Sequence, residues 1–415
     1  MNQNRIEKWD PAYAVLKHYV NLNYRLYYRN IYIRGQENIP GEAPVIFAPN
    51  HQNALMDALA LLYAVPGQLV FIARADIFRM KIVARILTFL KLTPVYRIRD
   101  GYDSLQHNEK AMQKVSRVLS AGRPLVIFPE GNHGDQRRLR PLKKGICRMA
   151  FQAEEHHDFN LGLHIVPVGL DYENYYKFHK SLFINFGQPI PVEPFLEEYR
   201  QNPSKANISL RNKIASGLKN VMLHISDKAH YPLINHLREY YQARMKEYLQ
   251  LPDLRHPCKY LADKKLIEVC ESRIKEDPET ADKLQEHDNE LQNILHRLSV
   301  KPTLLGRKKY SLVKLAGRIP LFLAFLPVFI YGFVNNALPF LLPGLVNKTI
   351  QDPQFHSSIR NGLSLIGFPF FYLLQTAIFA ILMENPALTA AYLVSLPLTG
   401  YLAYQYYRWF KKTWH

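Results

Sequence analysis

Cysteine is scarce in this 415-residue chain: Cys147, Cys258 and Cys270 are the only three, and no CxxC spacing occurs. That argues against a disulfide framework and for idle thiols in a reducing compartment. No cluster of histidine, cysteine and carboxylate has metal-ligand spacing, so the sequence requires no metal. Residues 1–10 are polar and lack the apolar core of a signal peptide. Acid is in deficit too: 35 Asp and Glu against 53 Lys and Arg give a formal net charge of +18, which predicts an anionic partner. Internal repeats and long low-complexity tracts are missing.

What the chain does have is apolar and aromatic material. Its 48% hydrophobic content allows one large domain and something more. The 26 Tyr and 22 Phe suit a bilayer interface, and equally stacking on nucleic-acid bases. Residues 11–34 mix tyrosines with Lys17, Arg25, Arg29 and Arg34, and read as an amphipathic helix that lies on lipid or packs on the domain.

From residue 45 strands and helices alternate. Strands are predicted at Val45–Ala48, Leu69–Ala73, Thr93–Tyr96, Pro124–Phe128, His164–Gly169 and Ser181–Phe186. Helices are predicted at Ala54–Tyr63, Phe78–Leu90, Asp103–Leu119 and Lys144–Glu154. This pattern implies an α/β fold with a mixed, mainly parallel sheet flanked by helices.

Four strand ends carry chemistry. His51 follows the first, and Asp57 lies six positions on, inside the next helix. Six positions turn a helix by about 600°, so the two meet only if His51 stays in the loop, with Asn53 as N-cap. A histidine backed by a carboxylate makes a general base; the plain alternative is that both merely cap the helix. Arg97 and Arg99 follow the strand at Thr93, where guanidinium forks suit a phosphate or ordinary ion pairs. Glu130 and Gly131 end the strand at Phe128, and the basic run Arg137–Lys144 leads into a helix N-terminus, a natural anion site. His133 reads as a polar loop residue. Pro167 sits inside a strand, which places it at an edge, at a bulge or beside a substrate channel.

Taken together, Asn50-His51…Asp57, Val95-Tyr96-Arg97, Phe128-Pro129-Glu130-Gly131 and Val166-Pro167-Val168-Gly169 resemble, in order and separation, the four motif blocks of the glycerolipid acyltransferases. These are the glycerol-3-phosphate and lysophosphatidic acid acyltransferases, and the likeness covers about residues 30–215. Five residues separate His51 from Asp57, where most of the family has one fewer; a branch resembling the fungal glycerol-3-phosphate/dihydroxyacetone-phosphate enzymes shares the longer spacing. The resemblance implies catalysis by His51 and Asp57, with Arg97, Arg99, Glu130, Gly131 and Pro167 binding substrate. It implies acyl-CoA or acyl-ACP as co-substrate, no further cofactor, and a phosphorylated glycerol as acceptor. A lyso-aminolipid acyltransferase and a non-catalytic membrane scaffold are the competing readings. Nucleic acid is disfavoured because no nucleic-acid module is recognisable.

After residue 194 the chain turns helical, with Leu261–Ile274 and Pro278–Leu298 expected to pair. Lys301–Arg318 holds six basic residues and no acid, and three apolar stretches follow. Residues 363–382 and 387–407 are long enough to span a bilayer, whereas 319–346, with four prolines and Asn335-Asn336 near its middle, reads as a re-entrant hairpin. The expected division is an N-terminal helix (1–34), an acyltransferase domain (35–215), a helical region (216–300) and a membrane domain (301–415). The positive-inside rule then puts the catalytic domain in the cytoplasm, bound to membrane lipids.

Overall fold

The computed structural model describes residues 6–95, 104–134, 136–252, 255–298 and 318–414. Arg97, Arg99 and Asp135 lie outside these, as does the basic run up to residue 317. The chain divides into two units, Met1–Pro302 and Thr303–His415.

In the first unit α1 (Pro11–Tyr27) begins where capping chemistry puts it: Asp10 accepts the N–H of Tyr13 at 3.1 Å, and Pro11 opens the helix. There follow β1 (Asn30–Arg34), β2 (Val45–Pro49), α2 (Ala54–Ala64), β3 (Val70–Arg74), α3 (Lys81–Phe89), β4 (Leu92–Val95), α4 (Ser104–Ser120), β5 (Leu125–Val126) and α5 (Gly145–Glu155). β6 (His164–Tyr172), β7 (Ser181–Phe186) and β8 (Ile190–Pro191) complete the strands. The sheet order is β1-β7-β6-β2-β5-β3-β4, with β8 also on β6. β6, β2, β5, β3 and β4 run parallel, β7 and β8 pair antiparallel with β6, and β1 is parallel to β7. The sheet is therefore mixed and mainly parallel, as expected.

Alternation along the strands builds a core on each face. Ile46, Ala48 and Ile165 pack with Val115, Phe151 and Leu218, the side of α4, α5 and the later helix Pro203–Val221; Phe47, Val166 and Val168 pack with Tyr24, Met56 and Leu61, the side of α1 and α2. α6 (Leu196–Gln201) and α7 (Pro203–Val221) come next, and then α8 (Tyr231–Tyr248), α9 (His256–Glu276) and α10 (Pro278–Arg297). Phe183 of β7 meets Ile234, Tyr260 and Ile267 in a third cluster that seats α8 and α9.

Two boundaries differ from the expected ones. Residues 30–34 are a strand, because Ile31 and Ile33 alternate with polar or aromatic neighbours and pair with β7; the tyrosine run had masked that period of two. Helix α7 also runs through the division at residue 215. A Cβ on Gly169 would fall 1.9 Å from the carbonyl oxygen of Val221, so the last turn of α7 lies directly on β6 and belongs with the sheet.

The second unit corrects the hairpin. Residues Ile319–Asn347 form one unbroken helix, α11, with Pro327, Pro339 and Pro343 inside it. At 29 residues it is about 43 Å long. With α12 (His356–Met383) and α13 (Pro386–Trp414) it makes three helices long and apolar enough to cross a membrane. Asn335 and Asn336 are a polar junction, not a turn. Asn336 donates to the Leu396 carbonyl at 3.1 Å and accepts from the Tyr372 hydroxyl at 2.6 Å, and Asn335 accepts from the Tyr392 hydroxyl at 2.8 Å. Polar groups in an apolar helix are held by such bonds between helices, and small residues let the helices approach. Gly332 is that close to α13: a Cβ there would lie 2.2 Å from the Thr399 carbonyl oxygen.

Candidate active site

The C-terminal ends of β2, β3, β4, β5 and β6 share one edge of the sheet, because these strands are parallel. Asn50 prolongs the ladder there: its side chain donates to the Leu170 carbonyl at 3.2 Å and accepts the Leu170 N–H at 2.6 Å, as a peptide group would. The chain then turns out through His51, and Ala54, the first residue of α2, has a positive φ of 43°. Of the five residues between His51 and Asp57, Gln52 and Asn53 lie in the loop and Ala54, Leu55 and Met56 in the first turn of α2.

The pair meets. His51 Nδ1 lies 2.8 Å from Asp57 Oδ2, an oxygen that also accepts the N–H groups of Gln52 and Asn53, each at 2.7 Å. Tyr172 donates its hydroxyl to Asp57 Oδ1 at 2.7 Å. Asp57 is completely buried, and with four donors around it the carboxylate cannot swing away. Burial, and after it the charge of Asp57, push the Tyr172 phenol well above its ordinary value, so it remains a donor. Asn53 occupies the N-cap position, but its side chain donates to the Tyr175 carbonyl at 3.1 Å instead of capping. Phe128 stacks on the His51 ring with centroids 4.1 Å apart, and the His133 ring stands edge-on at 5.5 Å. Nδ1 is committed to Asp57, which leaves Nε2 as the nitrogen that can take a proton from a ligand.

Glu130 is buried behind this loop, one oxygen accepting the His51 N–H at 2.8 Å and the other the Arg140 N–H at 3.1 Å. Burial pushes its carboxyl up to about 7 against those two bonds. Gly131, at φ 73°, closes the turn by donating its N–H to the Phe128 carbonyl at 3.1 Å, and no other residue adopts that conformation as cheaply. Glu130 thus braces the His51 loop against residue 140.

Pro167 is elsewhere. Val168 turns its carbonyl to β2, where it accepts from Asn50 at 3.2 Å; Pro167 therefore faces the other way and accepts from Gly187 at 2.8 Å, in the gap between β7 and β8. The missing N–H falls where β6 has no strand partner, which is how an interior strand tolerates the proline. Its ring packs under α7, where a Cβ on Gly217 would lie 2.7 Å from Pro167 Cγ. That is the face of the sheet away from α2.

The basic loop is partly spent inside the fold. Arg137 donates to the Tyr172 carbonyl at 3.1 Å, lies 3.8 Å from Asp171 Oδ1 and covers the Tyr175 ring at 5.3 Å. Arg140 donates to the His133 carbonyl, while Lys143 and Lys144 are exposed. Tyr172 escaped the sequence reading, as did the structural bonds of Asn50 and Arg137. For Tyr172 a signal existed: it continues the even-numbered face of Val166, Val168 and Leu170, which points towards α2.

The Acyltransferase family model matches residues 30–171. Glycerol-3-phosphate O-acyltransferase 1 of Saccharomyces cerevisiae is 32% identical over 142 residues, which are 34% of this chain and 19% of that enzyme. A 1-acyl-sn-glycerol-3-phosphate acyltransferase of Borreliella burgdorferi is 29% identical over 198 residues, 46% of this chain and 73% of the relative. The crystal structure of the 1-acyl-sn-glycerophosphate acyltransferase of Thermotoga maritima is a distant neighbour, with 19% identity and a TM-score of 0.36 over 50% of this chain and 79% of that one.

Proposed function

We propose that this chain, whose residues 30–171 match the Acyltransferase family model, moves an acyl group from a thioester, acyl-CoA or acyl-ACP, to a hydroxyl of glycerol-3-phosphate or 1-acylglycerol-3-phosphate in phospholipid synthesis. His51 Nε2 takes the proton of the acceptor hydroxyl as its oxygen attacks the thioester carbonyl. Asp57 holds the ring through Nδ1 and stabilises the imidazolium. Collapse of the tetrahedral intermediate forms the ester and expels the thiolate, to which His51 returns the proton. The N–H groups of His51 and Gly131 are already engaged, so other donors serve the oxyanion. Arg97 binds the acceptor phosphate through charge-assisted bonds, and Glu130 acts as the brace described above.

The observation that carries this reading is the 2.8 Å contact between His51 and a fully buried, four-fold hydrogen-bonded Asp57. Its test is an acceptor panel on the full chain in proteoliposomes, following thiol release from acyl-CoA and from acyl-ACP. Release that depends on glycerol-3-phosphate or its 1-acyl ester is expected. Release driven only by a lyso-aminolipid would replace the acceptor, and none with any acceptor would leave the scaffold reading.

A further inference from the structure

Helix α3 has an anomaly that acyl transfer does not explain. None of its nine residues is buried, although it lies between two strands of the central sheet. Ile82, Ile86 and Phe89, at positions i, i+4 and i+7, form one exposed stripe, and Ile77 and Met80 continue it in the turn that precedes the helix. These five side chains are between 38% and 68% exposed. On the flank stand Arg79, Lys81 and Arg85, all exposed. The acid of this segment, Asp76, is paired with Arg74.

The position of the segment gives the pattern a use. β3 runs parallel to β5, and β5 to β2, so the turn after Arg74 leaves the sheet at the same edge as His51. Two strand spacings separate β3 from β2, or about 10 Å. Leu55, in the first turn of α2 and four residues from His51, is also half exposed at that edge.

We propose that residues 77–89, with Leu55, are a docking surface for an anionic bilayer, which the site edge of the sheet faces when the domain is seated. An apolar stripe with lysine and arginine beside it is the make-up of a helix lying in the headgroup region. A second copy of the chain fits poorly, because the three flanking cations would meet their own counterparts. The bilayer, by contrast, is always at hand, since the same chain carries three helices long and apolar enough to cross one. The use assigned to the surface, bringing lipid substrate and product to His51, rests on the proposed acyl transfer; the docking itself does not.

The test places the full chain, with its three native cysteines replaced, in nanodiscs with and without an anionic lipid. Single cysteines at Ile82, Ile86 and, as a control, Glu279 of α10 carry an environment-sensitive fluorophore, and lipids bearing a shallow nitroxide act as quencher. Positions 82 and 86 are expected to lose most of their emission in anionic discs and position 279 little. Reversing Arg79, Lys81 and Arg85 to glutamate should restore the emission. Emission at 82 and 86 equal to that at 279 would overturn the proposal. So would cysteines at these positions that are shielded from a bulky maleimide without being quenched, since that means protein covers the face. Neither readout needs turnover, so a failed docking result leaves acyl transfer untouched, and an inactive enzyme leaves docking measurable.

Discussion

Histidine meets a buried carboxylate both at the sheet edge and among the C-terminal helices of the first unit, and the two regions use the pair differently. At the edge His51 gives Nδ1 to Asp57 at 2.8 Å and keeps Nε2 out of that bond, on a side chain that is 16% exposed. In the helical region His256 Nε2 lies 2.7 Å from Asp171, and the ring is only 5% exposed. His230 spends both nitrogens, on Asp227 at 2.9 Å and Asp282 at 3.0 Å. Burial alone would raise the Asp171 carboxyl, but the bond from His256, with the charges of His256 and Arg137, holds it below its usual range. The helical pairs are fastenings between elements. A short histidine–carboxylate distance does not make a base; the second nitrogen and its access do.

The sharpest way to break that contrast is to remove one carboxylate or histidine from each region. Asp57→Asn is expected to lower kcat by about 10²–10⁴-fold, because Nδ1 loses the partner that fixes its tautomer and its charge. His256→Ala should lower the melting temperature while the folded fraction keeps its kcat, since it uncouples α9 from β6 and touches no reacting atom. Equal losses of kcat in both variants, measured on folded protein, would erase the distinction.

A smaller effect is expected from Tyr172→Phe. It removes one of the four donors on Asp57, a bond to a charged group worth about 1.5–3 kcal/mol. The three remaining donors take up part of that loss, so kcat should fall by roughly tenfold with the donor KM unchanged. A KM effect alone would make Tyr172 a packing residue.

Glu130 sharpens the comparison through pH. Its carboxyl is raised from 4.5 to about 7 in the folded protein, so between these values the native state holds a proton that the unfolded chain has released. The corresponding contribution to stability is fully present below the unfolded value and is lost as pH rises through about 7, by up to about 3 kcal/mol. Melting curves of wild type and Glu130→Gln from about pH 5 to about pH 8 should show the wild type losing ground as pH rises. A difference independent of pH would contradict the raised carboxyl.

Much of the sheet and the contact between His51 and Asp57 were legible in the sequence because they rest on local signals. β2, α2, β6 and β7 announce themselves by apolar runs and alternation, and the His51 loop by the chain leaving a buried strand in polar residues. What stayed hidden depends on partners distant in sequence. Asn335-Asn336 looks like a break until Tyr372, Leu396 and Tyr392 are seen to satisfy it. Pro167 looks out of place in a strand until the gap between β7 and β8 appears beside it. Arg137 reads as a free cation until Asp171 and the Tyr172 carbonyl close on it. Each is a polar or conformational anomaly whose resolution lies in tertiary structure.

The most direct test of the central claim is single-turnover transfer of a labelled acyl group from its thioester to glycerol-3-phosphate by the full chain in proteoliposomes, comparing wild type with His51→Ala and His51→Gln. General-base catalysis predicts that both variants bind the thioester as before and transfer at least about a hundredfold more slowly. A variant that bound the thioester normally and kept more than about a tenth of the wild-type rate would show that His51 does not remove the proton.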